Sequence, residues 1–128
     1  MSAGLSVVVA GDDLLFSTRI ASALTGCGHR PRLVSSLPDF HAALTAGPDA
    51  AILNLASHRL DAAAAIRLAK ADPVTRAIPL LGFCGHADAP RQAAARAAGC
   101  DLVATNGAVA ANLPRLLEEL LAATRATP

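Results

Sequence analysis

Short apolar runs alternate with longer stretches of helical periodicity along this chain. That alternation restricts its fold more than any other feature. Residues 5–10 form a compact β-branched run that reads as a buried strand, broken by Gly11-Asp12-Asp13. A helix over 14–25 follows and is closed by Gly26 and Gly28. Residues 32–35 are a second, weaker strand. Pro38 falls in the first turn of the next helix, where its missing N–H costs nothing, and that helix ends near Gly47-Pro48. Residues 50–55 make a third strand, and a helix over 60–71 is stopped by Asp72-Pro73. A fourth strand over 78–83 leads to a helix over 88–98 that ends at Gly99, and 102–104 is a short fifth strand. The last helix carries Leu113, Leu116, Leu117, Leu120 and Leu121, an i, i+3, i+4, i+7, i+8 stripe that faces a core.

Five strands alternating with five helices predict an α/β domain with a parallel sheet covered on both faces. Strands buried on both sides are continuously apolar, as Val7-Val8-Val9 and the runs 50–53 and 78–81 are. A chain of 128 residues fits one such domain, and 53% hydrophobic content, with alanine its largest part, supplies a core suited to close helix-on-sheet packing. The expected domain spans 1–121. Residues 122–128 have little periodicity and read as a tail or the start of a linker.

Charge and composition exclude several functions. A formal net charge of +1 gives no strong electrostatic footprint for DNA or anionic lipid. The absence of Trp and Tyr, with only Phe16, Phe40 and Phe83 as aromatics, leaves no stacking platform for single-stranded nucleic acid. No apolar run approaches the ~18 residues of a spanning helix. Three cysteines (Cys27, Cys84 and Cys100) without a CxxC spacing argue for a reducing compartment, and no signal peptide is evident, so a cytoplasmic location is expected.

In open parallel sheets, ligands bind beyond the carboxyl ends of the strands. That rule selects Asp12-Asp13, Asn54, Phe83-Cys84 and Thr105-Asn106 as one expected rim. Adjacent carboxylates suit a hard cation with oxygen ligands. The plainer reading is that one of them caps the following helix.

These positions carry a resemblance to the receiver domains of two-component response regulators, the CheY-like family. Val7-Val8-Val9-Ala10-Gly11-Asp12-Asp13 resembles the family's first strand and acidic pair. Pro48-Asp49-Ala50-Ala51-Ile52-Leu53-Asn54-Leu55 resembles its third strand, which normally ends in the phosphoacceptor Asp. Asp72-Pro73-Val74-Thr75-Arg76-Ala77-Ile78-Pro79 is similar to the approach to the fourth strand, and Ala97-Ala98-Gly99-Cys100-Asp101 to the turn into the fifth. The resemblance covers essentially the whole chain. It implies a flavodoxin-like three-layer α/β/α sandwich with strand order 2-1-3-4-5.

The departures fall on the chemistry. Asn54 stands at the phosphoacceptor position, and an amide lacks the anionic oxygen that attacks phosphorus. Cys84 stands where the resemblance implies a Ser or Thr donor to the phosphoryl group, and a thiol is a weak donor. Asn106 stands at the position of a Lys and supplies no positive charge. Gly107 replaces the proline that usually follows, and Val103 replaces the switch aromatic. The resemblance therefore implies a degenerate receiver, or pseudo-receiver, that is not an enzyme. Weak or vestigial Mg²⁺ binding is expected at Asp12 and Asp13 at most.

The resemblance also implies a partner face on the fourth helix, fifth strand and fifth helix. That face includes Arg91, Arg96, Arg115, Glu118 and Glu119, each of which reads equally as part of a solvated helix face. The partner would be a signalling protein, an output domain or a second copy. Two alternatives stay open. One is a phosphorylatable regulator that uses Asp61 as a displaced carboxylate, although Asp61 also reads as a helix cap. The other is a small flavodoxin-like ligand-binding domain or enzyme. His58 and His86 follow the third and fourth strands and could join Asp12 or Asp13 around a metal, but no ligand spacing marks them. Ser17 and Thr18 have no nearby base in sequence and carry no expected catalysis.

Overall fold

Residues 4–125 are described by a computed structural model. The elements alternate throughout: β1 (Ser6–Ala10), α1 (Leu14–Gly26), β2 (Arg30–Val34), α2 (Leu37–Thr45), β3 (Ala50–Asn54), α3 (Ala62–Ala71), β4 (Leu80–Cys84), α4 (Ala89–Ala98), β5 (Leu102–Thr105) and α5 (Asn106–Arg125). The strands pair in parallel in the order β2-β1-β3-β4-β5. This is the flavodoxin-like order expected from the sequence.

Alternating side chains divide the core in two. Val8, Ala10, Ala51, Leu53 and Leu80 face the layer of α2, α3 and α4, where they meet Phe40, Leu44, Leu60 and Ile66. Val7, Val9, Ile52, Leu81 and Phe83 face α1 and α5, where they meet Ile20, Leu24, Val109, Leu117 and Leu120. All the residues of β3 and β4 are buried, which is why both read as unbroken apolar runs.

Caps fix where the helices begin. Asp13, Ser36, Asp61 and Asp88 accept the amides of Phe16, Asp39, Ala64 and Arg91 at the starts of α1, α2, α3 and α4. Thr105 does the same for α5, with the Ala108 amide 3.1 Å from its hydroxyl. Gly99 ends α4 at φ +108°, a left-handed conformation that a side chain would strain.

Most boundaries shift by one or two residues from expectation, α3 for example starting at Ala62 and not at 60, and some shifts have a clear cause. β2 starts two residues early, at Arg30, because it pairs with β1 from Ser6 onwards. β4 starts at Leu80 and not at 78: Pro79 has no N–H for a ladder and enters only through its carbonyl, which accepts the Ala51 amide. α5 starts at Asn106, well before the leucine stripe, and breaks at Asn112 (φ −154°, ψ 54°) two residues before Pro114. It then continues to Arg125, through the first part of the expected tail, and 126–128 lie outside the described residues.

Candidate functional site

The chain crosses from strand to loop at Asn54, which is only 9% exposed. Its side-chain oxygen accepts the Ala56 amide at 2.9 Å, so the amide folds back on its own loop. Ser57 closes the same turn by donating its hydroxyl to the Asn54 carbonyl at 2.9 Å. β1 passes close by. A Cβ placed on Gly11 would lie 2.9 Å from the Asn54 Cβ and 3.3 Å from the Ser57 hydroxyl, so only glycine fits there. Ser17 borders the same space, its hydroxyl 3.7 Å from that position.

The acidic pair separates into two structural roles. Asp13 is exposed and caps α1 through its Oδ1, 3.1 Å from the Phe16 amide. Asp12 reaches across the rim, and its Oδ2 accepts the amides of Arg59 at 2.6 Å and His58 at 2.8 Å. The Arg59 amide is the main cause of a carboxyl held below its ordinary value, against the opposing effect of desolvation. Sequence reasoning missed this clasp, because nothing in the string marks two backbone amides as partners of a carboxylate more than forty residues away.

The Cys84 and Asn106 side chains are not hydrogen-bonded to Asn54 among the described residues. The Cys84 side chain is fully buried in the core beneath α3 and α4, and its sulfur makes only a long contact, 3.9 Å, to the Asp88 carbonyl. Burial, followed by the Asp88 charge, pushes its thiol pKa up. Asn106 is exposed as the first residue of α5 and lines an apolar cleft between α1 and α5 with Asp13, Phe16 and Val109. No hydrogen bond joins Asn54, Cys84 and Asn106 to one another among the described residues.

This donor set is a poor fit for Mg²⁺. One carboxylate is bound by amides, one caps a helix, and Asn54 offers a neutral oxygen already turned to Ala56. No group of three His, Cys, Asp or Glu side chains is placed to hold a metal ion among the described residues, so His58 and His86 are not assembled with the acidic pair. Asp61 is exposed and caps α3, with its Oδ1 3.0 Å from the Ala64 amide.

All five expected partner-face residues are exposed. Arg96, Arg115, Glu118 and Glu119 are exposed on α4 and α5, and Arg115 pairs with Glu119 at 3.4 Å along one helix. Arg91 stands on α4 with Arg96. At the start of α4 it pairs with Asp88 at 2.5 Å and borders a cleft between α3 and α4 that His58, Arg59 and Asp61 also line. At 3.6 residues per turn, Arg91 and Arg96, five residues apart on α4, point about 140° away from each other, which a grouping by element alone ignores.

Five parallel strands in this order, with an acid-bearing loop after the first and a polar side chain ending the third, define a receiver-type fold. No protein-family model matches the sequence, and no curated protein sequence matches it. Solved structures do match. A candidate response regulator from Chloroflexus aurantiacus is 19% identical over 93% of this chain and 98% of its own, with a TM-score of 0.85. The receiver domain of a sensor histidine kinase from Pseudomonas aeruginosa, crystallised with magnesium in its active-site cleft, is 21% identical over 94% of this chain and 99% of its own, at a TM-score of 0.83. NtrX from Brucella abortus is 20% identical over 95% of this chain, which spans only 28% of NtrX, at a TM-score of 0.83. At these identities the likeness is one of fold: the chain has the fold of response-regulator receiver domains. No helix among the described residues is long and apolar enough to cross a membrane.

Proposed function

We propose that the chain is a receiver-like signalling module that works by protein–protein contact and independently of phosphorylation. One observation carries this reading. The residue at the end of β3, where a receiver needs a nucleophilic carboxylate, is an amide already bonded to the Ala56 N–H. The surroundings support it. Asp12 is bound by two amides, Asp13 caps a helix, and Asn106 brings no cation to the end of β5. Input then acts by binding that shifts an existing equilibrium. The output surface is the exposed side of α4, β5 and α5, with Arg96, Arg115, Glu118 and Glu119. The occupant is an output domain, a signalling partner or a second copy, inside the cytoplasm.

Incubation with acetyl phosphate and Mg²⁺, followed by intact mass measurement, tests the reading. The expected result is an unchanged mass. Stable phosphate incorporation sinks the proposal, and its loss in Asp61→Ala would transfer the role to the displaced carboxylate. The capping of α3 by Asp61 counts against that second reading, because a cap that leaves its helix exposes an unpaired amide.

A further inference from the structure

The clasp on Asp12 has a geometric consequence on the far side of its loop. By binding the amides of His58 and Arg59, Asp12 fixes the backbone of the two residues whose side chains border the α3–α4 cleft. Across that cleft stands Arg91. The cleft has a volume of about 390 Å³, within the range of small-molecule sites. Leu55, Leu60 and Ala95 give it a buried apolar wall.

The charges are unevenly satisfied. Arg59 donates no side-chain hydrogen bond and forms no ion pair among the described residues. Arg91 commits one terminal nitrogen to Asp88, and a guanidinium has five N–H donors. Asp61 is the one carboxylate in the lining, and its Oδ1 is held by the Ala64 amide. The carboxylates of Asp61 and Asp88 offset the two guanidinium charges, but Arg59 keeps its whole fork unpaired and Arg91 keeps the donors that Asp88 leaves, with His58 adding a further donor. Planar forks of this kind match the oxygens of phosphate, and the apolar wall accepts a hydrophobic substituent beside it.

We infer that the α3–α4 cleft binds a small organic phosphate, with the phosphoryl oxygens between Arg59 and Arg91 and an apolar portion against Leu55 and Leu60. The inference goes beyond the preceding reading. It concerns reversible binding away from Asn54 and stands whether or not the chain accepts a phosphoryl group.

The test is an amide NMR titration of the full chain with phenyl phosphate and, separately, inorganic phosphate, at constant ionic strength and without Mg²⁺. The expected result is saturable shifts confined to 57–63 and 91–95, with phenyl phosphate the tighter ligand. Replacing both arginines (R59A with R91A) weakens binding at least about tenfold. Asp61→Asn keeps the cap while removing its charge, and binds more tightly. Shifts that grow linearly without saturation, or an affinity unchanged in both variants, overturn the inference. An unaltered intact mass after desalting separates this complex from a covalent adduct at the rim, which would instead count against the preceding reading.

Discussion

The carboxylate of Asp12 sits 2.6 Å from the backbone nitrogen of Arg59, and the same oxygen accepts the His58 amide. The loop after β1 is thereby fastened to the loop after β3, on either side of Asn54. A side chain that could have faced a cation is engaged in holding backbone. Asp12→Ala is therefore expected to release the β3–α3 loop. Hydrogen exchange at the His58 and Arg59 amides should quicken about tenfold or more, while the core amides of β3 keep their protection. Equal exchange in the variant would mean that the clasp does not order the loop.

Acid should loosen the same contact. The Asp12 carboxyl is held below its ordinary value of 3.8, chiefly by the Arg59 amide. A lowered folded-state pKa contributes stability that is fully present above 3.8, and it is lost as pH falls through the lower folded value. Asp72 and Asp88 shift in the same direction, held down chiefly by the Val74 amide and by Arg91 respectively. Stability with respect to these groups should be flat from neutral pH down to about pH 5 and should fall below pH 3.8. Urea midpoints taken across that range check it, and Asp12→Asn should flatten part of the acid limb.

Restoring one carboxylate is not expected to restore a receiver site. In Asn54→Asp the new acid lies beside the Asp12 clasp, with no cation supplied from Asn106 and with Cys84 turned into the core. Fluorine NMR with beryllofluoride and Mg²⁺ should show no bound signal for this single variant. A sharp bound resonance would show that Cys84 and Asn106 matter less than their chemistry implies.

Most of the architecture was legible because strand and helix periodicities are local. The apolar runs at Val7-Val8-Val9 and 50–53 gave β1 and β3, and Gly99 marked the end of α4. The capping of helices by Asp13 and Asp61 was also within reach, since a cap lies three residues from its amide. What could not be read were contacts between distant backbone groups. The hold of Asp12 on the amides of 58 and 59 carries no residue-type signature. The direction of Cys84 depends on strand pleat, and that of Arg91 on helix phase. Both are lost when a residue is assigned only to an element.

Lys70 shows the same limit at the opposite end of the sheet. Its ammonium donates to the carbonyls of Arg76 and Ile78 at 3.1 and 3.0 Å and to Asp101 at 2.7 Å. Asp101 in turn accepts the Leu80 amide at 2.8 Å, so one ion pair ties α3, the start of β4 and the turn before β5. The two side chains are only 19% and 25% exposed, so solvent screens the pair less than it would a surface bridge. Lys70→Met should lower stability by about 1–3 kcal/mol. Denaturant unfolding measures it, and a loss within about 0.5 kcal/mol would reduce the cluster to an ordinary surface pair.

The three thiols should differ sharply in reactivity, and the order follows from burial. Cys27 is exposed at the end of α1, whereas Cys84 is buried. Cys100 is half-buried between the Leu80 and Leu102 carbonyls, and desolvation pushes its thiol pKa up to about 11. The thiolate is the reacting species, so at pH 8 Cys100 holds about one part in a thousand in that form. Cys84 is shifted in the same direction by burial and Asp88. Ellman's reagent added to the folded chain should give a fast phase of one thiol, and the other two should appear only on unfolding. Cys27→Ser should abolish that fast phase and leave the slow two. A second fast thiol in the native state would mean that the α4 side of the sheet opens readily enough to expose Cys84 or Cys100. The packing of Ala95 and Ala98 against that face argues for a closed core there.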